Sequence, residues 1–572
     1  MNRHLVVGVS PFVLLVIASC GSSSGSTPPG NGDGTNPGSD GGSSSGAGGD
    51  DSTSSSGASS GGSSSGSSSG AGSSGGTSSG GGDAATGEGG EAGVTATSAD
   101  VPMLHKHINR DGLFIDGALT KTVLMGSTLK IDATFAGTLA GNAYASPLYV
   151  ENGVGGKGTF YVATESNNVY ALAEADGTNA IPSKSAGTPA GSTGCGPSNI
   201  KPLGITGTPA IDLATRTIVF DSATAASASG ILSKHTIHAW SIDDFSEKWA
   251  FDVTTLKDPS STAFATALQN QRSAVLIVGG IAYVTFAGHY GDCGAYRGWV
   301  VGVPLAATSA TVASMVKTYV VPAPQSGMWA PGGPSSDGTS IFVATGNGNN
   351  GATWQGAFSV IRLGAGPTFT AGTSNYWHAV MDTGDEDLGG SGPLVVDAPA
   401  ITPSKLLVQL GKDNNAYVVD RTTMGGEMSP LATLKVSSGE ISNAAAWATT
   451  STGTYVAMVS NGGSPASGCK NGSGNLGIIA LDSKAQITVP WCASAGGNGS
   501  PSITSSDGTN DMLVWTVATE GNGQIHAWDL ETGTPVVTGS DALSGTRHFT
   551  TPIFVHGRAF AVGDNRLYAL KP

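Results

Sequence analysis

Val169-Tyr170-Ala171-Leu172 is the stretch that decides the fold, because the chain keeps rewriting it. Ile237-His238-Ala239-Trp240, Gly477-Ile478-Ile479-Ala480-Leu481-Asp482, Ile525-His526-Ala527-Trp528 and Leu567-Tyr568-Ala569-Leu570 are the same alternating strand. Upstream of these copies stands an opening strand, often introduced by Ser-Pro or Thr-Pro, as at Ser146-Pro147, Thr208-Pro209, Ser500-Pro501 and Thr551-Pro552. Such pairs begin near residues 143, 205, 273, 329, 391, 443, 498 and 548. The period is therefore roughly 50 to 65 residues. Self-similarity at that spacing, with alternation as the one strong secondary-structure signal, predicts an all-β chain folded as a β-propeller. Such a scaffold hosts enzymes and binding modules alike.

Eight four-stranded blades fit residues 101–572, and seven blades with an inserted hairpin is the alternative. The last cassette ends at Leu570 with no room for an outer strand. The strand-like segment Leu129 to Leu139, which precedes the first full cassette, is expected to complete the last blade and so leave no sheet edge open.

The first nineteen residues read as a lipoprotein signal peptide. Arg3 and His4 precede an apolar run from Leu5 to Ile17, and Ala18-Ser19 stands before Cys20. The run is too short for a comfortable membrane span and holds Pro11. The pattern resembles the bacterial lipobox, which implies cleavage before Cys20 and acylation there, an anchor that makes the membrane a partner. Gly21 offers no acidic retention signal, so the resemblance places the anchor in the outer membrane. Residues 20–100 are almost entirely Gly, Ser, Thr, Ala and Asp, a composition that cannot bury a core. As a flexible tether they span roughly 50 Å.

Charge excludes one class of partner. Of the 41 acidic residues, eight lie between Asp33 and Asp100, leaving 33 against 25 basic residues in 101–572. That mild acidity argues against nucleic acid. Beyond Cys20 four cysteines remain, and export favours disulfides. Cys469 and Cys492 flank one strand and form the preferred pair, which leaves Cys195 with Cys293; three pairings exist in principle.

A denser set of motifs runs from Asn270-Gln271-Arg272-Ser273 through Tyr296-Arg297-Gly298-Trp299, Met328-Trp329-Ala330-Pro331-Gly332-Gly333-Pro334, Ala344-Thr345-Gly346-Asn347-Gly348 and Asp385-Glu386-Asp387-Leu388-Gly389 to Gly411-Lys412-Asp413. With Ala145-Ser146-Pro147 and Gly204-Ile205-Thr206-Gly207-Thr208-Pro209, they resemble the PQQ-binding-like (quinoprotein-like) β-propeller proteins. The resemblance covers residues 103–572. It implies the propeller fold, and most proteins so described are not enzymes. The true quinoprotein dehydrogenases of that group hold the quinone between a tryptophan and a disulfide of adjacent cysteines, beside a calcium ion. This chain has no adjacent cysteines, so the resemblance does not extend to bound PQQ.

Asp382, Asp385 and Asp387, with Glu386, are candidate calcium ligands. Four carboxylates that close either share a cation or repel into solvent. Two glycine strings, 153–158 and 346–351, match a dinucleotide fingerprint, but neither opens a helix, and hairpin turns account for them. His105 and His107 alternate near the start of the folded region without further metal ligands. His289, Asp292 and Tyr296 share a loop with Cys293 and could supply an acid and a base. Trp329, Trp354, Trp377 and Trp447 are candidate ligand-binding aromatics at channel-side turns, with packing between blades as the competing role. The expected function is a tethered, monomeric, non-catalytic module that binds a protein or a glycan, without a resident cofactor. A PQQ-dependent alcohol or sugar dehydrogenase is the alternative, and a polysaccharide-acting enzyme the third.

Overall fold

The computed structural model describes residues 99–196, 200–379 and 386–572. The signal peptide, Cys20 and nearly all of the tether lie outside the described residues, as do Asp382 and Asp385. The first cassette folds into four antiparallel strands, Leu148–Val150, Thr159–Ala163, Asn168–Ala173 and Asn179–Ser185. Its alternation has a double use. Val169 and Ala171 pack in one core cluster with Phe220 and Trp240 of the next sheet, whereas Tyr170 and Leu172 pack in another with Phe560 and Leu570 at the end of the chain. A sheet buried on both faces needs apolar residues at both parities.

Five further sheets of four or five strands follow, and a nine-stranded sheet gathers the last two cassettes. In that sheet Ser127–Ile131 lies between two meanders, parallel to Pro535–Ser540 through Ser127 and Val537, and antiparallel to Arg566–Lys571 through Lys130 and Lys571. The strand is earlier and shorter than the segment singled out in the sequence. Asp132 ends it, because its carboxylate accepts the amide (3.1 Å) and hydroxyl (2.7 Å) of Thr134 and turns the backbone.

The first strands of the sheets converge on one axis, as the partners of residues 100–116 establish. Val101 exchanges backbone hydrogen bonds with Tyr149 of the first sheet. The carbonyls of Pro102, Ile108, Asn109, Asp111 and Gly112 then accept the amides of Ile211, Ser336, Val395, Trp447 and Ile503 at 2.7 to 3.2 Å, one from each of five other sheets. Arg110, 1% exposed, reaches the carbonyls of Val275 (3.0 Å) and Pro334 (2.9 Å), and Phe114 meets Phe554 edge to face. A segment this short touches so many sheets only if their inner edges face one channel. It enters and leaves at the end where first strands turn into second ones, since Asp100 and Asp116 accept the amides of Glu151 and Gly557 in such turns. That end of the channel is plugged.

Both disulfides join the cysteines paired from the sequence. Cys469–Cys492 (Cα–Cα 5.9 Å) staples two strands of one sheet, and Cys195–Cys293 (5.4 Å) ties two loops 98 residues apart.

Where the first sheet meets the last, Phe160 and Phe560 pack with ring centroids 4.3 Å apart. Outside them lies a polar clamp. His556 Nδ1 is 2.8 Å from Glu174 and its Nε2 is 3.3 Å from Glu151, Arg558 is 2.9 Å from Glu174, and the Tyr149 hydroxyl donates to Glu174 at 2.6 Å. The hydrogen bond to Glu174, outweighing partial burial, raises the His556 pKa above its ordinary 6.5, with Glu151 and Asp116 adding to the rise. A raised folded-state pKa contributes stability that is complete below the unfolded value and fades as pH climbs through the folded one. His556→Gln is therefore expected to lower the melting temperature at about pH 5.5 and to leave it unchanged above about pH 8. Equal destabilisation at both pH values would contradict the clamp.

Candidate functional site

The other end of the channel is built from the connections that lead into the first strands and from the loops between second and third strands. Trp329, 9% exposed, lies on the connection ahead of Ser335–Ser336, and its indole is the centre of a charged group. The Arg272 guanidinium stands 4.7 Å from the ring centroid and the Lys412 ammonium 5.7 Å from it. Cations over an indole face are held by its quadrupole. Asp387, 4% exposed, balances them: it accepts the Asn347 amide at 2.5 Å and lies 3.4 Å from Lys412. Gly346 permits that approach, for a Cβ there would stand 2.1 Å from the Asp387 carboxylate. Tyr296 donates to Asp292 at 2.5 Å on the same side of the mouth.

Other ionisable groups at this end are tied into the frame in the same way. Glu165 is fully buried, and burial pushes its pKa up to about 7 although it accepts the Gly204 amide at 2.6 Å. Arg547 forms a forked pair with Asp564 and covers the Tyr144 ring at 5.4 Å. His548 pairs with Glu520 at 2.5 Å. Carboxylates and amides from one sheet's loop thus reach the next sheet's backbone, as Asn167 does to Ala223 and Asn475 to Gly497. Burial also pulls the His289 pKa down to about 3, which leaves it neutral and a poor acid.

The tryptophans separate by position. Trp377 is 1% exposed and donates to the Met428 carbonyl, and Trp447 is 8% exposed in an inner strand. Trp354 alone of the four keeps a partly open ring, stacked 3.6 Å from Tyr376. Of the proposed calcium ligands, Glu386 and Asp387 are described; Glu386 is exposed, and Lys412 and Asn347 already engage Asp387. His105 is buried beside Thr551 on the axis, and His107 pairs with Asp111 at the surface. Among the described residues no group of three metal-ligating side chains occurs.

Two arrangements escaped the sequence reading. Residues 100–116 carry no periodicity, so their role as a plug was invisible. Ser222, His238 and Glu247 lie on three adjacent strands of the second sheet, with Ser222 Oγ 3.0 Å from His238 Nε2 and His238 Nδ1 3.0 Å from Glu247. These are the links of a nucleophile, base and orienting carboxylate. The chemistry fails on access: Ser222 is 0% exposed, wedged between sheets, and no acyl group reaches it.

A quinone would need a planar gap over a tryptophan, faced by a disulfide of adjacent cysteines. Here Arg272 occupies the space over Trp329, and the disulfides join residues 98 and 23 positions apart. These residues do not fit that group.

No protein-family model and no curated protein matches the chain. Solved structures to which it is similar include a quinohemoprotein alcohol dehydrogenase from Comamonas testosteroni, at 12% identity over 82% of this chain and 80% of that one, with a TM-score of 0.54. A quinohemoprotein alcohol dehydrogenase from Pseudomonas putida HK5 aligns at 12% identity over 83% and 79%, TM-score 0.55. A europium-containing methanol dehydrogenase aligns at 14% identity over 83% and 89%, TM-score 0.52. At these identities the likeness is one of fold, and the fold is a quinoprotein-like β-propeller.

Proposed function

We propose that this chain is a lipid-anchored, non-catalytic β-propeller of the bacterial outer membrane, a monomer that binds a protein or glycan ligand and carries no quinone. The observation that supports it is the state of the channel mouth. Trp329 is covered by Arg272, Asp387 is held by Lys412 and Asn347, and Glu165 is sealed against Gly204. Among the described residues, Arg272, Lys412 and Asp387 are engaged with one another or with the backbone, and Arg272 takes the face of Trp329. In this reading the nine-stranded sheet is two blades, so the ring counts eight, and Ser127–Ile131 is the outer strand of the last. The pairing of Lys130 with Lys571 favours that closure.

The dehydrogenase alternative draws on the names of the similar structures, and those speak for fold alone. The full chain, supplied with PQQ and calcium, is expected to reduce an artificial electron acceptor no faster than the protein-free blank, whether offered alcohols or sugars. Sustained turnover would overturn the non-catalytic reading.

Cys20 carries the anchor in this proposal. Bacteria expressing the chain with labelled palmitate are expected to yield a labelled protein in the outer-membrane fraction, and Cys20→Ala to abolish the label and release the protein. Label retained by Cys20→Ala would refute the lipid assignment.

A further inference from the structure

The crevice between the third and fourth sheets has features that the packing of two sheets does not require. Tyr319, on the outer strand Lys317–Val320 of the third sheet, meets Phe369 at 5.7 Å. Phe369 meets Trp354 at 5.8 Å, and Trp354 stacks on Tyr376 at 3.6 Å with 8° between the planes. All four rings are partly exposed. Most other aromatic contacts involve a buried side chain, such as Phe160 with Phe560 and Phe264 with Trp299, with His548 and Phe549 an exception. The row packs against the core of the third and fourth sheets on one side, and its residues are only partly covered.

Beside the row is a groove of about 490 Å³, lined by Lys317, Thr318, Tyr319, Pro367, Thr368 and Phe369. The groove is shallow and open to solvent, so a ligand there would lie along it. The groove is pre-formed. Gly364 and Thr368 exchange backbone hydrogen bonds at 2.8 and 3.0 Å, and the Gly366 amide donates to the Tyr283 hydroxyl at 3.2 Å. The Trp354 indole is fixed by its hydrogen bond to the Ser359 hydroxyl at 2.7 Å. A rigid site pays little ordering entropy on binding.

The chemistry of the lining selects among ligand classes. No carboxylate lines the groove, and Lys317 is its one charged residue, at the exposed edge. Among the described residues that line it, the groove itself offers a cationic ligand no counter-ion. An uncharged sugar ring matches better, since its C–H face lies on an aromatic ring while its hydroxyls meet the Thr318 and Thr368 hydroxyls and the carbonyls of the 365–368 turn.

We infer that this crevice is a saccharide subsite for an uncharged glycan chain. It rests on the binding reading above and makes the ligand a glycan. The test titrates the full chain in detergent, by calorimetry, with cellohexaose, chitohexaose and maltoheptaose, alongside the Trp354→Ala, Trp354→Phe and Phe369→Ala variants and their melting temperatures. The expected result is saturable binding of at least one oligosaccharide, weakened tenfold or more by Trp354→Ala and by Phe369→Ala, and largely restored in Trp354→Phe. Binding that persists in both alanine variants would overturn the subsite while the binding reading stands. Absence of saturable heat with all three sugars would also overturn it, and the protein-ligand branch of that reading would then be decided separately by crosslinking in intact envelopes.

Discussion

An inner strand has an unpaired edge facing the axis, and every such edge holds backbone amides that water or another partner must satisfy. Residues 100–116 are that partner. Their carbonyls accept one amide from each of five sheets, the backbone of Val101 pairs with a sixth, and the Arg110 side chain takes the carbonyls of Val275 and Pro334. A hydrogen bond of this kind contributes about 0.5–1.5 kcal/mol net, and a buried group left without one costs about 1–3 kcal/mol. The segment is therefore a hub. It fixes the distance of each sheet from the axis, and the packing between sheets follows from that distance.

The hub also decides where function can reside. It fills the end of the channel at which first strands turn into second ones, so ligands have the opposite mouth and the outer crevices left to them. At the mouth, Arg272, Lys412, Asp387 and Arg547 are charges engaged by neighbours. Buried charges persist when paired and hydrogen-bonded, and their pairing here links one sheet to the next. The crevice beside Trp354 differs again, since its aromatic residues contact one another and are only partly buried.

Much of the frame was legible in the sequence. Copies of Val169-Tyr170-Ala171-Leu172 announce themselves because a strand buried on both faces needs apolar residues at both parities, and eight repetitions amplify a weak local signal. Cysteine positions gave both disulfides, since Cys469 and Cys492 flank a single strand. The hub was not legible: its hydrogen bonds use mostly backbone groups, which leave no trace in side-chain identity. Nor could the sequence rank its tryptophans. Trp377 and Trp354 stand 23 residues apart in the same sheet region, yet one is enclosed by Tyr417 and Met428 while the other lies against Phe369 at the edge. Exposure of a ring depends on which neighbour arrives from a distant loop. The same limit hid Arg272 and Lys412, which are 140 positions apart and meet over one indole.

Native-state hydrogen exchange of the inner-strand amides tests the hub most directly. Ile211, Ser336, Val395, Trp447 and Ile503 donate to residues 102–112, so they are expected to exchange together and only through global unfolding, as slowly as amides within the sheets. Rapid, independent exchange at these five positions, with the sheet amides still protected, would mean that the segment is a loose tail and the ring stands without it.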